Sequence, residues 1–333
     1  MRLPTFEYLE PKNLQEALEI LHVHGKNCSI LAGGTDLLVR MKQRLLKPDC
    51  LMSLKSLNSL SYILKKDGVI SIGACTSLAK VCASNIIQEH FPSLITAVQS
   101  IGAPSIQHFR GTVGGNLCQD SRCLFYNQSA FWRSGKQPCH KAGGQICYAK
   151  EGSSDRCHAT YQSDSAPVLT ALGAEVILSS KKGARTIPLS DFYSTYGEQP
   201  FTKEPGELLT EIRIPVPEPG TGNAYKRLSY RSAIDYPIAS AAAVVQISDD
   251  SEPVIKKARI VIGAISRAPL PVAQISGILE GKPVSDKDSL GKAADQAMDI
   301  ASAFAVHNAG SALEYRVQMV SVLVQRAINE AVC

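Results

Sequence analysis

The sequence predicts an α+β fold in which two small α/β subdomains precede a separate C-terminal α+β domain. In the first part of the chain, short apolar strands alternate with segments of helical apolar spacing. The Pro- and Gly-rich stretch Pro215–Gly222 then marks a linker. Beyond this linker, two apolar strand patterns come before two long helical patterns, which is typical of an antiparallel sheet covered by helices.

The first predicted subdomain, residues 1–57, contains a strand that leads through a glycine turn into a helix. A helical pattern over Leu14–Leu21 ends near Gly25, and a short strand over Ser29–Ala32 leads into Gly33-Gly34-Thr35-Asp36. The residues after this turn, Leu37–Lys42, have the pattern of a helix that Asp36 could cap. A strand, a glycine turn and a helix in this order present backbone N–H groups to a phosphate.

The second predicted subdomain spans residues 58–215 and carries an unusual insert at about 118–160. Its predicted elements are a strand at 69–74, helices at 78–83 and 91–100, a second glycine turn at 111–116, and a helix and strand within 166–178. The C-terminal domain, residues 222–333, is predicted to have strands at 239–247 and 257–265 and helices at 288–304 and 311–331.

Composition excludes several classes of function. The 333-residue chain is 44% hydrophobic and 20% charged, as ordinary globular proteins are. Its net charge is only +5 and its basic residues are dispersed, so we expect no nucleic-acid binding. Neither an apolar leader nor a long apolar run is visible, so we expect a cytoplasmic protein without a membrane span. In that compartment the ten cysteines should not form disulfides.

The two glycine turns predict a cofactor with phosphate groups. Either turn alone could simply be a tight backbone turn. Together, Gly33-Gly34-Thr35 and Gly111–Asn116 each follow an apolar segment and each contain a threonine, so they could hold a pyrophosphate from two sides. Neither matches the Rossmann or the P-loop pattern.

These turns resemble the two FAD pyrophosphate loops in the flavin subunits of molybdenum hydroxylases, the family of xanthine dehydrogenase and carbon monoxide dehydrogenase. The resemblance continues in order through Ile72-Gly73-Ala74, Ser163–Pro167, Glu207-Leu208-Leu209 and Tyr225–Arg231. It implies an FAD-binding fold of the vanillyl-alcohol-oxidase (PCMH) type, followed by the C-terminal domain.

The resemblance also implies which residues bind FAD. They are Ala32, Gly33, Gly34, Thr35, Asp36, Thr112, Gly114, Gly115, Asn116, Asp164, Leu209 and Lys226. A lysine near the flavin ring would stabilise the anionic reduced flavin, and the alternative for Lys226 is a solvated strand residue. No catalytic residue is expected on this chain.

The insert contains four cysteines with the pattern of a metal site. Cys123, Cys139, Cys147 and Cys157 are separated by 15, 7 and 9 residues, which is neither a zinc ribbon nor the cysteine run of bacterial ferredoxins. Four thiolates with dispersed spacing can still hold a 4Fe–4S cluster. Structural zinc and free thiols are the alternatives, and Cys118 is interpreted as a packing residue.

The insert resembles that of the flavin subunit of 4-hydroxybenzoyl-CoA reductases, through Cys123–Ser129, Lys136–Cys147 and Arg156–Ala159. This resemblance implies a 4Fe–4S cluster on the four cysteines. His140 and His158 are expected to lie beside the ligands, and Phe131 and Trp132 to shield the cluster or pack the insert.

The implied function is electron transfer. Electrons of low potential would pass from a ferredoxin-type donor through the 4Fe–4S cluster and FAD to partner subunits that carry 2Fe–2S clusters and molybdopterin. The complex would be a heterotrimer that dimerises, and it would reductively dehydroxylate an aromatic CoA thioester. One alternative is the FAD subunit of an NAD-linked molybdenum hydroxylase with an additional cluster. The other is a non-catalytic interaction subunit stapled by zinc.

Overall fold

The N-terminal subdomain is a small parallel sheet with two helices. The computed structural model describes residues 2–232 and 234–333. The first elements are β1 (Glu7–Leu9), α1 (Leu14–His24), β2 (Cys28–Leu31), α2 (Leu37–Lys42) and β3 (Cys50–Ser53). The strands pair in parallel in the order β1-β3-β2. Asn13 caps α1 by accepting a hydrogen bond from the Glu16 amide at 2.9 Å, and Gly25 ends the helix with a positive φ of 52°.

The second subdomain is a five-stranded antiparallel sheet backed by short helices. Its elements are β4 (Ile63–Lys66), β5 (Val69–Gly73), α3 (Leu78–Cys82), α4 (Asn85–His90), α5 (Pro92–Gln99), α6 (Val113–Leu117), α7 (Ala130–Ser134), α8 (Ser165–Ala171), β6 (Glu175–Ser180), β7 (Gly183–Pro188), β8 (Tyr193–Tyr196), β9 (Gln199–Phe201) and β10 (Leu208–Pro215). The sheet order is β4-β5-β10-β6-β7, and β8 and β9 form a separate pair. Ile72, Val176 and Ile212 are fully buried between this sheet and the helices.

The C-terminal domain is a four-stranded antiparallel sheet covered by two long helices, as the sequence predicts. Its elements are β11 (Thr221–Leu228), β12 (Ala239–Ile247), β13 (Ile255–Gly263), β14 (Leu270–Pro271), α9 (Ile275–Leu279), α10 (Lys287–Phe304) and α11 (Leu313–Ala331). Asp286 caps α10 by accepting from the Ser289 amide at 3.2 Å. In the described part of the chain, no helix combines the length and apolarity needed to cross a membrane.

A buried arginine of α11 fixes the segment between α10 and α11, which contacts the insert. Arg316 is 0% exposed, and its guanidinium donates to the carbonyl oxygens of Ala264 at 2.9 Å and Val306 at 3.0 Å. The adjacent Asn308 carbonyl accepts from the Leu124 amide of the insert at 3.0 Å. These hydrogen bonds satisfy a buried cation and hold the insert against the C-terminal domain.

Several short strands are not visible in the sequence pattern. The residues of β7 are exposed except for the partly buried Ile187, so this edge strand has no apolar alternation to detect. Its pairing with β6 comes from the register of a hairpin and not from a buried face of its own.

Candidate functional site

The first glycine turn connects β2 to α2 and lies against the second glycine turn. A Cβ atom added to Gly33 would lie only 1.8 Å from the carbonyl oxygen of Arg110. Gly34 has a φ of +75°, which L-residues with side chains rarely adopt. The two backbones therefore meet at a distance that only glycine permits.

The second glycine turn opens α6 and packs against the strand end of β5. The Thr112 hydroxyl caps the helix by accepting from the Gly115 amide at 3.0 Å. A Cβ on Gly114 would lie 2.7 Å from that of Ala74. Glycine at position 114 lets the turn approach the sheet, and both turns then border the same cavity.

This flavin cavity has a volume of about 410 Å³ and lies between the two turns and the C-terminal domain. Of the twelve predicted FAD residues, the ones that line it are Ala32, Gly33, Gly34, Thr35, Asp36, Thr112, Gly114, Gly115, Asn116, Asp164 and Leu209. The Arg40 Nε atom, on a side chain that also lines the cavity, is buried without a hydrogen-bond partner in the described residues. Glycine turns without side chains, together with a buried N–H donor that lacks a partner, fit a ligand that carries phosphate and hydroxyl acceptors.

Asn116 and Asp164 form a polar corner of the flavin cavity. The Oδ1 atom of Asn116 accepts from the hydroxyls of Ser163 and Ser165, both at 2.6 Å. Asp164 Oδ1 accepts from the Tyr225 hydroxyl at 2.8 Å and pairs with Arg227 at 3.0 Å. Burial raises the pKa of Asp164 to about 6, although Arg227 and Tyr225 act in the opposite direction.

The prediction that Asp36 caps α2 is wrong. The Asp36 side chain makes no cap hydrogen bond, and its carboxylate instead pairs with Arg122 and lies 3.9 Å from Arg40. Two cations attract the carboxylate more strongly than the helix amides do. Asp36 therefore joins the glycine turn to the start of the insert.

The four cysteines of the insert line a second, smaller cavity. Cys123, Cys139, Cys147 and Cys157 surround it, together with Phe125, Tyr126, His140, Lys141, Ile146, Tyr148 and Ala159. Isolated bridges, from Arg122 to Thr160 and from Cys139 to Ile146, bring the distant parts of the insert together. The tertiary structure thus gathers thiols that are far apart in sequence.

Burial shifts the pKa values of two of these thiols. Burial raises the pKa of Cys157 to about 12, and the Lys141 ammonium opposes this increase. Burial also raises the pKa of Cys123. Within residues 2–232 and 234–333, no three His, Cys, Asp or Glu side chains are grouped so as to coordinate a metal ion. The structure alone therefore does not show a metal centre.

Cys118 and His140 lie where the sequence predicts, whereas Phe131 does not. Cys118 lies at the flavin cavity and packs on the core of the second subdomain. His140 borders the cysteine cavity, and its Nε2 atom contacts the Ser154 carbonyl oxygen at 2.8 Å. The packing prediction for Phe131 is wrong, because its side chain is 89% exposed on α7. Phe125 and Tyr148 supply the aromatic lining instead, with ring centroids 5.8 Å apart.

Family models match nearly the whole chain. Residues 4–217 match the FAD-binding domain in molybdopterin dehydrogenases. Residues 223–331 match the C-terminal domain of CO dehydrogenase flavoproteins. The chain belongs to this flavoprotein family. Its N-terminal part is an FAD-binding domain, and the protein is an oxidoreductase subunit of the molybdenum hydroxylase family.

Similarity to individual members of the family extends over full length. The carbon monoxide dehydrogenase medium chain of Afipia carboxidovorans is 30% identical, with 98% of this chain and 96% of that protein covered. The glyceraldehyde dehydrogenase medium chain of Sulfolobus acidocaldarius is 29% identical, with 98% of both covered. Reconstituted CO dehydrogenase from Oligotropha carboxidovorans has a solved chain that superposes with a TM-score of 0.79 at 28% identity, covering 99% of both chains.

Lys226 is the predicted FAD residue that does not line the flavin cavity. Its ammonium pairs with Glu330 on α11. Neighbouring residues of a strand point to opposite faces, so it is Arg227 that extends toward Asp164. The alternation within β11 is a signal that could have selected Arg227, had its strand register been known.

A change of Asp164 to Asn should remove a pH dependence from stability. The folded-state pKa of about 6 is above the usual 3.8, so the folded chain binds a proton preferentially between these values. The difference in free energy of unfolding between the wild type and Asp164→Asn should therefore move in favour of the wild type by about 1 kcal/mol from pH 8 to pH 5. Urea unfolding of both proteins at the two pH values measures this, and a constant difference would contradict it.

Proposed function

We propose that this chain is the FAD and 4Fe–4S subunit of a molybdenum-containing complex resembling 4-hydroxybenzoyl-CoA reductase. In this proposal, low-potential electrons from a ferredoxin-type donor reach the 2Fe–2S and molybdopterin subunits through this chain, for reductive dehydroxylation of an aromatic CoA thioester. The observation that carries the proposal is the convergence of Cys123, Cys139, Cys147 and Cys157 on one cavity, in a segment tied directly to the flavin turn.

The donor set of the insert supports a cluster over zinc. Four thiols, those of Cys123, Cys139, Cys147 and Cys157, line one small cavity. A zinc ribbon has its cysteines in closely spaced pairs, which the separations of 15, 7 and 9 residues do not provide. Four cysteine thiolates with dispersed spacing are ligands that a 4Fe–4S cluster accepts. The donor set therefore fits a 4Fe–4S cluster.

The flavin would supply one- or two-electron chemistry when bound, and the following residues of this chain would hold it. The backbone at Gly33 and Gly34 and at Gly114 and Gly115 is free of side chains that would obstruct a pyrophosphate. The Thr112 hydroxyl already accepts from Gly115, which stiffens the second turn. Asn116, Asp164 and Leu209 would contact the remainder of FAD.

The names of the relatives support partner subunits. Proteins called medium chains and FAD subunits are, by those names, parts of larger enzymes. We infer a heterotrimer with a molybdopterin subunit and a 2Fe–2S subunit, which dimerises in the cytoplasm.

Cofactor analysis of the complex, purified without oxygen, tests the proposal. Iron, acid-labile sulfide, zinc and FAD are counted per chain, and EPR spectra are recorded after dithionite reduction. We expect about four irons and one FAD in this chain beyond the iron of the 2Fe–2S subunit. Zinc in place of this iron would leave the insert as a structural staple.

Donor preference tests the direction of electron flow. Reduced ferredoxin should reduce the flavin of the complex faster than NADH does. Equal or faster reduction by NADH would favour the FAD subunit of an NAD-linked hydroxylase with an additional cluster.

A further inference from the structure

A chain of five charged side chains connects the flavin cavity to the cysteine cavity. Arg122 pairs with Asp36, and Arg40 lies 3.9 Å from the other oxygen of Asp36. Arg40 also pairs with Asp120 at 2.9 Å, and Asp120 pairs with Lys141 at 2.8 Å. We name these five residues the ion ladder; they are Arg122, Asp36, Arg40, Asp120 and Lys141. Asp36 and Arg40 line the flavin cavity, while Lys141 lines the cysteine cavity.

The ion ladder is largely removed from water and has an excess of positive charge. Exposed fractions of its side chains range from 3% at Lys141 to 21% at Asp36. Three cations and two carboxylates leave one net positive charge. Burial reduces screening by solvent, so the electric field of this net charge extends farther than the field of a lysine on the surface.

Lys141 is the member of the ladder nearest the cysteines, and it is held rigidly. Its ammonium donates to Asp120, to the Ser121 hydroxyl and to the Gly197 carbonyl oxygen at 2.9 Å. It also lies 5.5 Å from the ring centroid of Tyr126, another residue of the cysteine cavity. Three acceptors and a ring face fix the cation at the wall of the site.

We propose that Lys141 sets the reduction potential of the cofactor held by the four cysteines, and that Asp120 moderates its effect. This inference rests on the proposed cluster. Reduction adds one electron to the site, and a fixed buried cation stabilises the added negative charge. Lys141 therefore raises the potential, whereas the Asp120 carboxylate lowers it. Lys141 acts through its field and is not a ligand.

The test is an EPR-monitored redox titration of the anaerobic complex at a single pH. Lys141→Met should lower the cluster potential by about 59 mV, so that the ratio of reduced to oxidised cluster at a fixed ambient potential falls about tenfold. Lys136→Met is the matched control. Lys136 is an exposed lysine of the same insert, over the rings of Trp132 and Tyr148, and water screens its charge. Equal shifts in the two variants would overturn the inference.

Asp120→Asn distinguishes an electrostatic role from a structural one. Removing this carboxylate should raise the cluster potential, opposite in sign to the effect of Lys141→Met. A loosened insert would admit water in both variants and move both potentials in the same direction, which would contradict the inference. If the Lys141→Met variant loses its iron, the cluster potential of Asp120→Asn still tests the inference. A rise in this potential supports the inference, and a fall contradicts it.

Lys141→Arg provides a further check because it keeps the charge. Its potential should stay close to that of the wild type. Loss of iron from Lys141→Met and Asp120→Asn alike would make the ladder a structural support and overturn the inference. A wild-type complex without this iron would instead refute the proposed function. An iron-loaded wild type with unchanged variant potentials would refute only the role of Lys141.

Discussion

Replacing Gly33 with alanine is expected to weaken FAD binding by up to about 100-fold. The added Cβ would lie 1.8 Å from the carbonyl oxygen and 2.5 Å from the carbonyl carbon of Arg110. Both are backbone atoms, so relief requires the two glycine turns to separate. Overpacking of this kind costs about 1–3 kcal/mol. A loss of about 3 kcal/mol in binding corresponds to roughly 100-fold weaker affinity.

Flavin absorbance per chain and titration of FAD into the flavin-depleted protein measure the effect. Gly291→Ala is the matched control, because a Cβ at this position of α10 meets no atom within 4 Å. In a helix interior this change should stabilise the chain by up to about 1 kcal/mol and leave FAD unchanged. Normal FAD affinity in Gly33→Ala would show that the turns do not hold the cofactor as we propose.

Cys139→Ser is expected to remove the iron of the insert while FAD remains bound. A serine oxygen is a poor substitute for a thiolate in an iron–sulfur site, and Cys139 lines the cysteine cavity and not the flavin cavity. Iron and sulfide per chain should fall to the content of the 2Fe–2S partner, with FAD near one per chain. Metal analysis and flavin absorbance on the same preparation measure both.

Cys82→Ser is the control for the cysteine change. Cys82 is also partly buried but packs on the core of the second subdomain and lines neither cavity. It should keep both cofactors. If Cys139→Ser lost FAD together with iron, the insert would also support the flavin cavity, for which the pairing of Arg122 with Asp36 is a physical route.

Patterns set by local backbone chemistry could be predicted from the sequence. The α+β class and the antiparallel C-terminal sheet with its helices follow from strand alternation and helical spacing, since these periods reflect one buried face. The edge strand β7 could not be predicted, because an exposed strand has no buried face to mark it. Family resemblance supplied the FAD assignment, which the matched FAD-binding domain supports.

The sequence by itself determined the two glycine turns and the presence of four cysteines in one insert. Both are visible from residue type alone, because paired glycines favour tight turns and only cysteine supplies thiols. Tertiary structure decided which distant groups meet. It placed Arg227 and not Lys226 beside Asp164, and it drew Asp36 away from its helix into the ion ladder. Side-chain direction depends on strand register, and ion pairing depends on burial in a shared low-dielectric environment, so neither is encoded in local spacing.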